Sequence, residues 1–262
     1  MKKSGRMVVA AALASAAGLA VAAGPEPLGF LEGGYITLID VVLPAPIPQE
    51  PRGVADSELF KLTRAIKGTK RWDMAVADVP ADPASMMQGF ACATRVNMTP
   101  ANAPKTTALL ERASRDTVRE ANEVRSFYKR KRPFVTNPGE ICEPQSDVLL
   151  TSYDYPSPAA TRGWTWALIL SELLDDRAAA ILARGRAYGE SGVVCGVHSM
   201  SAVEAGRMAA SSTLAVVRTE PPYQDAVVAA RKELEALRKV GTAPSAQSCS
   251  AEELLITQPI FR

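Results

Sequence analysis

The stretch "GWTWALILSELL" (residues 163–174) is apolar almost all round a helical wheel, broken only by Thr165, Ser171 and Glu172. A helix with no polar face has to be enclosed by other elements rather than laid on a surface. Whatever this chain folds into must therefore carry that segment at its centre. The rest of the sequence offers helices to surround it, because apolar residues recur at helical spacing and nothing alternates convincingly with period two. The expectation is an all-α fold, a single helical domain.

The enclosing helices can be placed in turn. Asp56 or Ser57 is positioned to cap a helix through "SELFKLTRAIKGTKRWDMAVAD". Asp82-Pro83 opens a second, as an N-cap and first-turn pair does. A third runs from about Pro104 to Lys129 with Leu109, Leu110, Ala113, Val118, Ala121 and Val124 on one side, and Pro133 ends it. "TNPGEICEPQSD" reads as loop. The central helix covers Ser157 to Leu174, a fifth covers Asp176 to Glu190, and a sixth, rich in small residues, runs from His198 to Arg218. "PPYQDAVVAARKELEALRKV" is an amphipathic seventh. Residues 23–55, with "LPAPIPQEPRG", read as a proline-rich arm, residues 56–240 as the helical domain and 241–262 as a C-terminal tail.

Residues 1–22 have the form of a cleaved export signal: Lys2, Lys3 and Arg6, then a small apolar run from Met7, then Ala20-Val21-Ala22. The run is too short to span a membrane comfortably. Loss of those three charges takes the net charge from +2 to −1, since no acid precedes Glu26. A near-neutral exported protein is a poor nucleic-acid binder. "KRKR" (Lys129 to Arg132) then reads as a solvated helix end with Arg132 turned inward. Four cysteines, Cys92, Cys142, Cys195 and Cys249, favour two disulfides in an oxidising compartment, with three pairings open. One histidine and no C-x-x-C argue against a metal site, and no cofactor is indicated.

Three stretches carry chemistry: "RSFYKRKRP" (Arg125 to Pro133), "PSPA" (Pro156 to Ala159) and "SGVVCGVHSMSA" (Ser191 to Ala202). In this order they resemble the class A bacterial acid phosphatases, periplasmic relatives of type-2 phosphatidic acid phosphatases and vanadium haloperoxidases. That family's pattern is K-x6-R-P, P-S-G-H and S-R-x5-H-x3-D. "KGTKRW", "ILARGRAYGESGVVCG" and "ARKELEALRK" are also similar to the family, so the resemblance spans residues 56–240.

The resemblance implies a phosphomonoester hydrolase in which an imidazole attacks phosphorus, and His198 holds that position. It implies Arg125, Arg132 and Ser157 as phosphate ligands, with Arg125 standing for the family's lysine. Four family positions are degenerate. Pro158 replaces a glycine whose N–H faces the phosphate, Ala159 replaces the general-acid histidine, Gly192 replaces a second arginine, and Ala202 replaces the aspartate that orients the nucleophile. A lost acid costs about 10²- to 10⁴-fold and a lost oxyanion donor about 10² to 10³. The expectation is therefore a periplasmic phosphatase scaffold that binds a phosphate monoester or other small anion and hydrolyses it very weakly or not at all. Two alternatives stand beside it: a working atypical phosphatase using His198, and an interaction protein that kept only the fold. The resemblance also implies self-association.

The remaining candidates have plain readings. Trp164 and Trp166 are expected in the core rather than as a ligand platform, and Arg162 in solvent, the alternative being that it points into the emptied acid position one turn before it at Ala159. Asp154 reads as a turn-former, whose charge would repel phosphate if it faced the pocket. The expected disulfides are Cys142–Cys195 and Cys92–Cys249, because Cys142 lies in the loop after the first motif and Cys195 just before His198.

Overall fold

The computed structural model describes residues 29–31, 36–241, 243–258 and 260; the segment expected to be an export signal lies outside them. Eleven α-helices and no strand are found among the described residues: α1 Pro51–Arg64, α2 Lys70–Ala77, α3 Pro83–Thr94, α4 Pro104–Tyr128, α5 Pro133–Thr136, α6 Asp147–Thr151, α7 Pro158–Leu173, α8 Ala178–Val194, α9 Met200–Val217, α10 Pro221–Val240 and α11 Ala246–Thr257. None is long and apolar enough to cross a membrane.

Helix α7 is the predicted centre. Trp166, Ala167, Ile169 and Leu170 are fully buried in the main core with Phe90, Leu109, Leu110, Tyr188 and Leu214. It packs most extensively on α8, then on α9 and α4. Trp166 donates its indole N–H to Ser114 Oγ at 3.1 Å, which satisfies the one polar atom of a buried indole. Trp164 is half-buried at the core edge, with its N–H on Ser211 Oγ. At the α7–α9 crossing Gly206 faces the main chain of Ser157, and a Cβ there would lie 2.7 Å from the Ser157 carbonyl oxygen. That close approach brings the start of α7, and so the Pro-Ser turn, against α9.

Three expectations are corrected. Asp56 does not cap a helix: α1 begins at Pro51 with Glu50 as N-cap, and Asp56 is buried one turn inside. The helix expected from there to Asp78 is two, because Gly68 at φ +80° ends the first and Thr69, accepting from Trp72 N–H, caps the second. The last residues are not a loose tail, since α11 is tied to α3 by the Cys92–Cys249 disulfide. Part of the proline-rich arm also packs on the helices: Leu38 and Val42 are buried against Ala121 and Val124 of α4 and Ala209 of α9.

Candidate active site

Two helix N-termini and one short extended pair build the site. Lys131 bridges Tyr153 and the Asp154 N–H donates to Arg130 O at 2.8 Å, so the end of the first motif runs antiparallel to the segment before the Pro-Ser turn. Ser157 is the N-cap of α7 and accepts from Ala160 N–H, with Pro158 at the first helical position. Ser199 caps α9 in the same way, accepting from Ala202 N–H. His198 sits just ahead of that cap. Its N–H and that of Val197 both donate to Gly192 O at 3.0 Å, which folds the α8–α9 loop back over the end of α8.

The His198 imidazole is 4 % exposed, yet both ring nitrogens have partners. Nδ1 lies 2.9 Å from Asp154 Oδ1, and Nε2 lies 3.0 Å from Arg132 Nη1. A guanidinium only donates, so Nε2 accepts and Nδ1 must carry the proton, which it donates to Asp154. This is the tautomer of a nucleophile: an oriented ring with its lone pair on Nε2 pointing away from the carboxylate.

Asp154 is not a bare turn-former. It is fully buried, Oδ1 also accepts Ser199 N–H at 3.1 Å, and Oδ2 accepts Ser199 Oγ–H at 2.6 Å. Arg130 stands 3.5 Å from Oδ2, and the positive end of the α9 macrodipole faces the same carboxylate. Burial alone would raise its pKa; the hydrogen bonds from His198 and Ser199 and the Arg130 charge outweigh that and hold it below the ordinary carboxylate range. Arg130 is itself fixed by Asp56 at 2.7 Å, and Asp56 accepts Ser201 N–H at 2.9 Å. Asp154 thus gives the imidazole a carboxylate partner, where the family pattern has one at position 202 and this chain has alanine. Repulsion of phosphate, the expected consequence of a charge there, is offset because the carboxylate sits behind the imidazole with all its bonds taken. Ala202 instead packs on Tyr155 and Ala205.

In front of the ring is a cavity of about 320 Å³, lined by His198, Arg132, Glu143, Arg162, Ser191 and the degenerate positions Pro158, Ala159 and Gly192. The gap left at position 192 is partly filled by His198: a Cβ on Gly192 would lie 3.3 Å from His198 Cβ and Cδ2. Arg132 is anchored by Ser152 Oγ at 2.9 Å and Val197 O at 2.8 Å, which aims it across the cavity floor. Arg162 is half-buried and lines the cavity, paired with Glu111 at 3.3 Å, rather than lying in solvent. Arg125 bonds Asn122 and the Tyr153 carbonyl, with its Nε buried and unpartnered. It is not part of the cavity wall, although its charge reaches His198. Ser157 is also off the wall, its hydroxyl spent on capping α7. Among the described residues no metal-ligating cluster of His, Cys, Asp and Glu forms.

Burial, then the Arg132 charge, push the His198 pKa down to about 4, against the raising influence of Asp154. An unfolded histidine titrates near 6.5, so between about pH 4 and 6.5 the unfolded chain binds the extra proton. The stability tied to neutral His198 is therefore complete above about 6.5 and is lost as pH falls through about 4. Thermal unfolding of His198→Gln should show a smaller drop in Tm from pH 7 to 4 than the parent; equal drops would contradict the assignment.

The helical scaffold thus places a buried imidazole, held between a carboxylate and an arginine, on the floor of a cavity. Comparison with known proteins gives the family. The chain is 36 % identical over 211 residues to the acid phosphatase of Zymomonas mobilis, covering 80 % of each chain. It is 30 % identical over 193 residues to the non-specific acid phosphatase of Salmonella typhimurium, covering 73 % of this chain and 77 % of that one. It is 30 % identical over 209 residues to the non-specific acid phosphatase of Providencia stuartii, covering 77 % and 83 %. No protein-family model matches. The chain belongs to the class A bacterial acid phosphatases. Both expected disulfides, Cys92–Cys249 and Cys142–Cys195, are present.

Proposed function

We propose that this protein is a periplasmic binder of phosphate monoesters that retains slow, His198-dependent hydrolysis. The observation that carries the reading is the buried His198 ring with Asp154 on Nδ1 and Arg132 on Nε2 at the cavity floor. A phosphoryl group entering the cavity takes the Arg132 N–H bonds onto its oxygens, which exposes the Nε2 lone pair for attack on phosphorus. Asp154 stabilises the cationic ring as the phosphohistidine forms. Turnover is slow because neutralisation of the phosphoryl oxygens is incomplete. Pro158 has no N–H to offer, and Gly192 leaves one arginine fewer. The intact Asp154–His198 pair favours residual chemistry over a pocket that only binds. The leader-like residues 1–22 and the two disulfides support an exported, oxidising location.

The test is inorganic phosphate binding by calorimetry together with hydrolysis of 4-nitrophenyl phosphate by mature protein. Phosphate should bind, and Arg132→Ala should weaken it at least about tenfold, as loss of a charge-assisted bond of about 1.5–3 kcal/mol requires. Turnover should fall below about 1 s⁻¹, an ordinary enzymatic rate, and vanish in His198→Ala. The rate should decline as pH drops through about 4, where the ring becomes protonated and loses its lone pair. No phosphate binding, or turnover untouched by His198→Ala, would overturn the reading.

A further inference from the structure

The cavity wall carries an ionisable group outside the three motifs. Glu143 directly follows Cys142, and the Cys142–Cys195 disulfide fastens its loop to the segment that leads into His198. The Cys142 N–H adds a bond to Cys195 O at 3.1 Å. Glu143 is half-buried and shares the cavity wall with His198 and Arg132. Among the described residues no hydrogen bond or ion pair holds its carboxyl. The other carboxyl on that wall, Asp78, is fully engaged: Arg184 bonds both oxygens, at 2.5 and 3.2 Å, and Ser191 Oγ donates at 2.7 Å. The chain has no second histidine.

We infer that Glu143 is the general acid of this site, giving its proton to the leaving oxygen of a phosphomonoester, a task for which position 159 has only a methyl group. The inference rests on the phosphotransfer reading above. In the first step His198 Nε2 forms the P–N bond, the P–O bond to the alcohol breaks, and the departing oxygen takes both electrons of that bond and the Glu143 proton. In the second, water attacks phosphorus, Glu143 carboxylate takes its proton, the P–N bond breaks, and phosphate leaves with histidine and acid restored. Burial raises the Glu143 pKa, with the Arg132 charge opposing, so it keeps its proton to higher pH than an ordinary glutamic acid. The ionisable groups facing it across the cavity are Arg132, His198, Asp78, Arg162 and Tyr188. Chemistry then needs His198 neutral and Glu143 protonated, which confines it to the acid side of neutrality.

The decisive comparison is Glu143→Gln against the parent on an alkyl phosphate (glycerol 2-phosphate) and on 4-nitrophenyl phosphate, whose leaving group needs little protonation. Glu143→Gln should lose about 10²- to 10⁴-fold on the alkyl ester and less than about tenfold on the aryl ester, and the fall in rate toward neutral pH should disappear. Equal losses on both esters, an unchanged pH profile, or a parent that turns over aryl but not alkyl phosphate would each overturn the role of Glu143. Those outcomes leave the functional reading standing as long as phosphate binds and aryl hydrolysis depends on His198. Failure of phosphate to bind overturns both.

Discussion

Asp154→Asn is expected to cut His198-dependent turnover by about 10³- to 10⁴-fold, the scale on which removing the orienting carboxylate of a Ser-His-Asp triad acts. The amide keeps the shape but can present its NH₂ to Nδ1, which moves the ring proton to Nε2 and removes the nucleophilic lone pair. Asp154→Ala should additionally destabilise the fold by about 3–5 kcal/mol, as breaking a buried charge network does, because His198 Nδ1–H, Ser199 N–H and Ser199 Oγ lose their acceptor and Arg130 keeps only Asp56 of its two carboxylates. The informative partner is Ala202→Asp. Alone it should harm the protein, since two carboxylates then compete for one imidazole and repel each other. In the Asp154→Ala background it should recover part of both rate and Tm by supplying the carboxylate from α9. Kinetics and thermal unfolding on the four proteins of this cycle decide the matter; an Asp154→Asn enzyme as fast as the parent would remove Asp154 from the mechanism.

That relocation also marks where the sequence stopped being readable. The centre of the fold was legible because α7 is apolar all round, and Asp82-Pro83 and Pro104 announce the starts of α3 and α4. The start of α1 was hidden because Pro51 follows a run of prolines that reads as extended chain, and only its place at the first helical turn makes it a helix signal. That His198 and Arg132 would meet was legible from motif spacing. Asp154 was not, because its partner lies 44 residues away with no periodic relation to it. One local signal existed: Ser199 as the cap, and Ser201 in the first turn, of a helix whose N-terminus favours a buried anion. Glu143 lies outside all three motifs, and its one signal was its place directly after Cys142, whose expected pairing with Cys195 carries the loop to the segment leading into His198.

The second large effect concerns repair. Pro158→Gly with Gly192→Arg should raise aryl phosphate turnover about 10²- to 10³-fold, the worth of a missing oxyanion donor. Both positions line the cavity, so the restored N–H and guanidinium would face the phosphoryl oxygens. Order matters. Pro158→Gly requires no movement, although it gives up a favoured first-turn proline. Gly192→Arg brings a Cβ within 3.3 Å of His198, so the ring has to yield by a few tenths of an ångström. The first substitution alone should therefore give a gain, and the second should add most when the first is present. Stopped-flow rates for the two single variants and the double test this; a double variant no faster than the parent would place the defect elsewhere.

The bond from Arg132 to His198 Nε2 has a consequence for how the empty protein meets its surroundings. A lone pair on a poised imidazole attracts more than substrate: it captures transition metals and is modified by electrophiles. Here the guanidinium sheathes it, and only an anion able to draw that guanidinium onto its own oxygens uncovers it. On the proposed function the ligand thus acts as its own key, and the His198 ring is chemically quiet until something phosphate-like arrives.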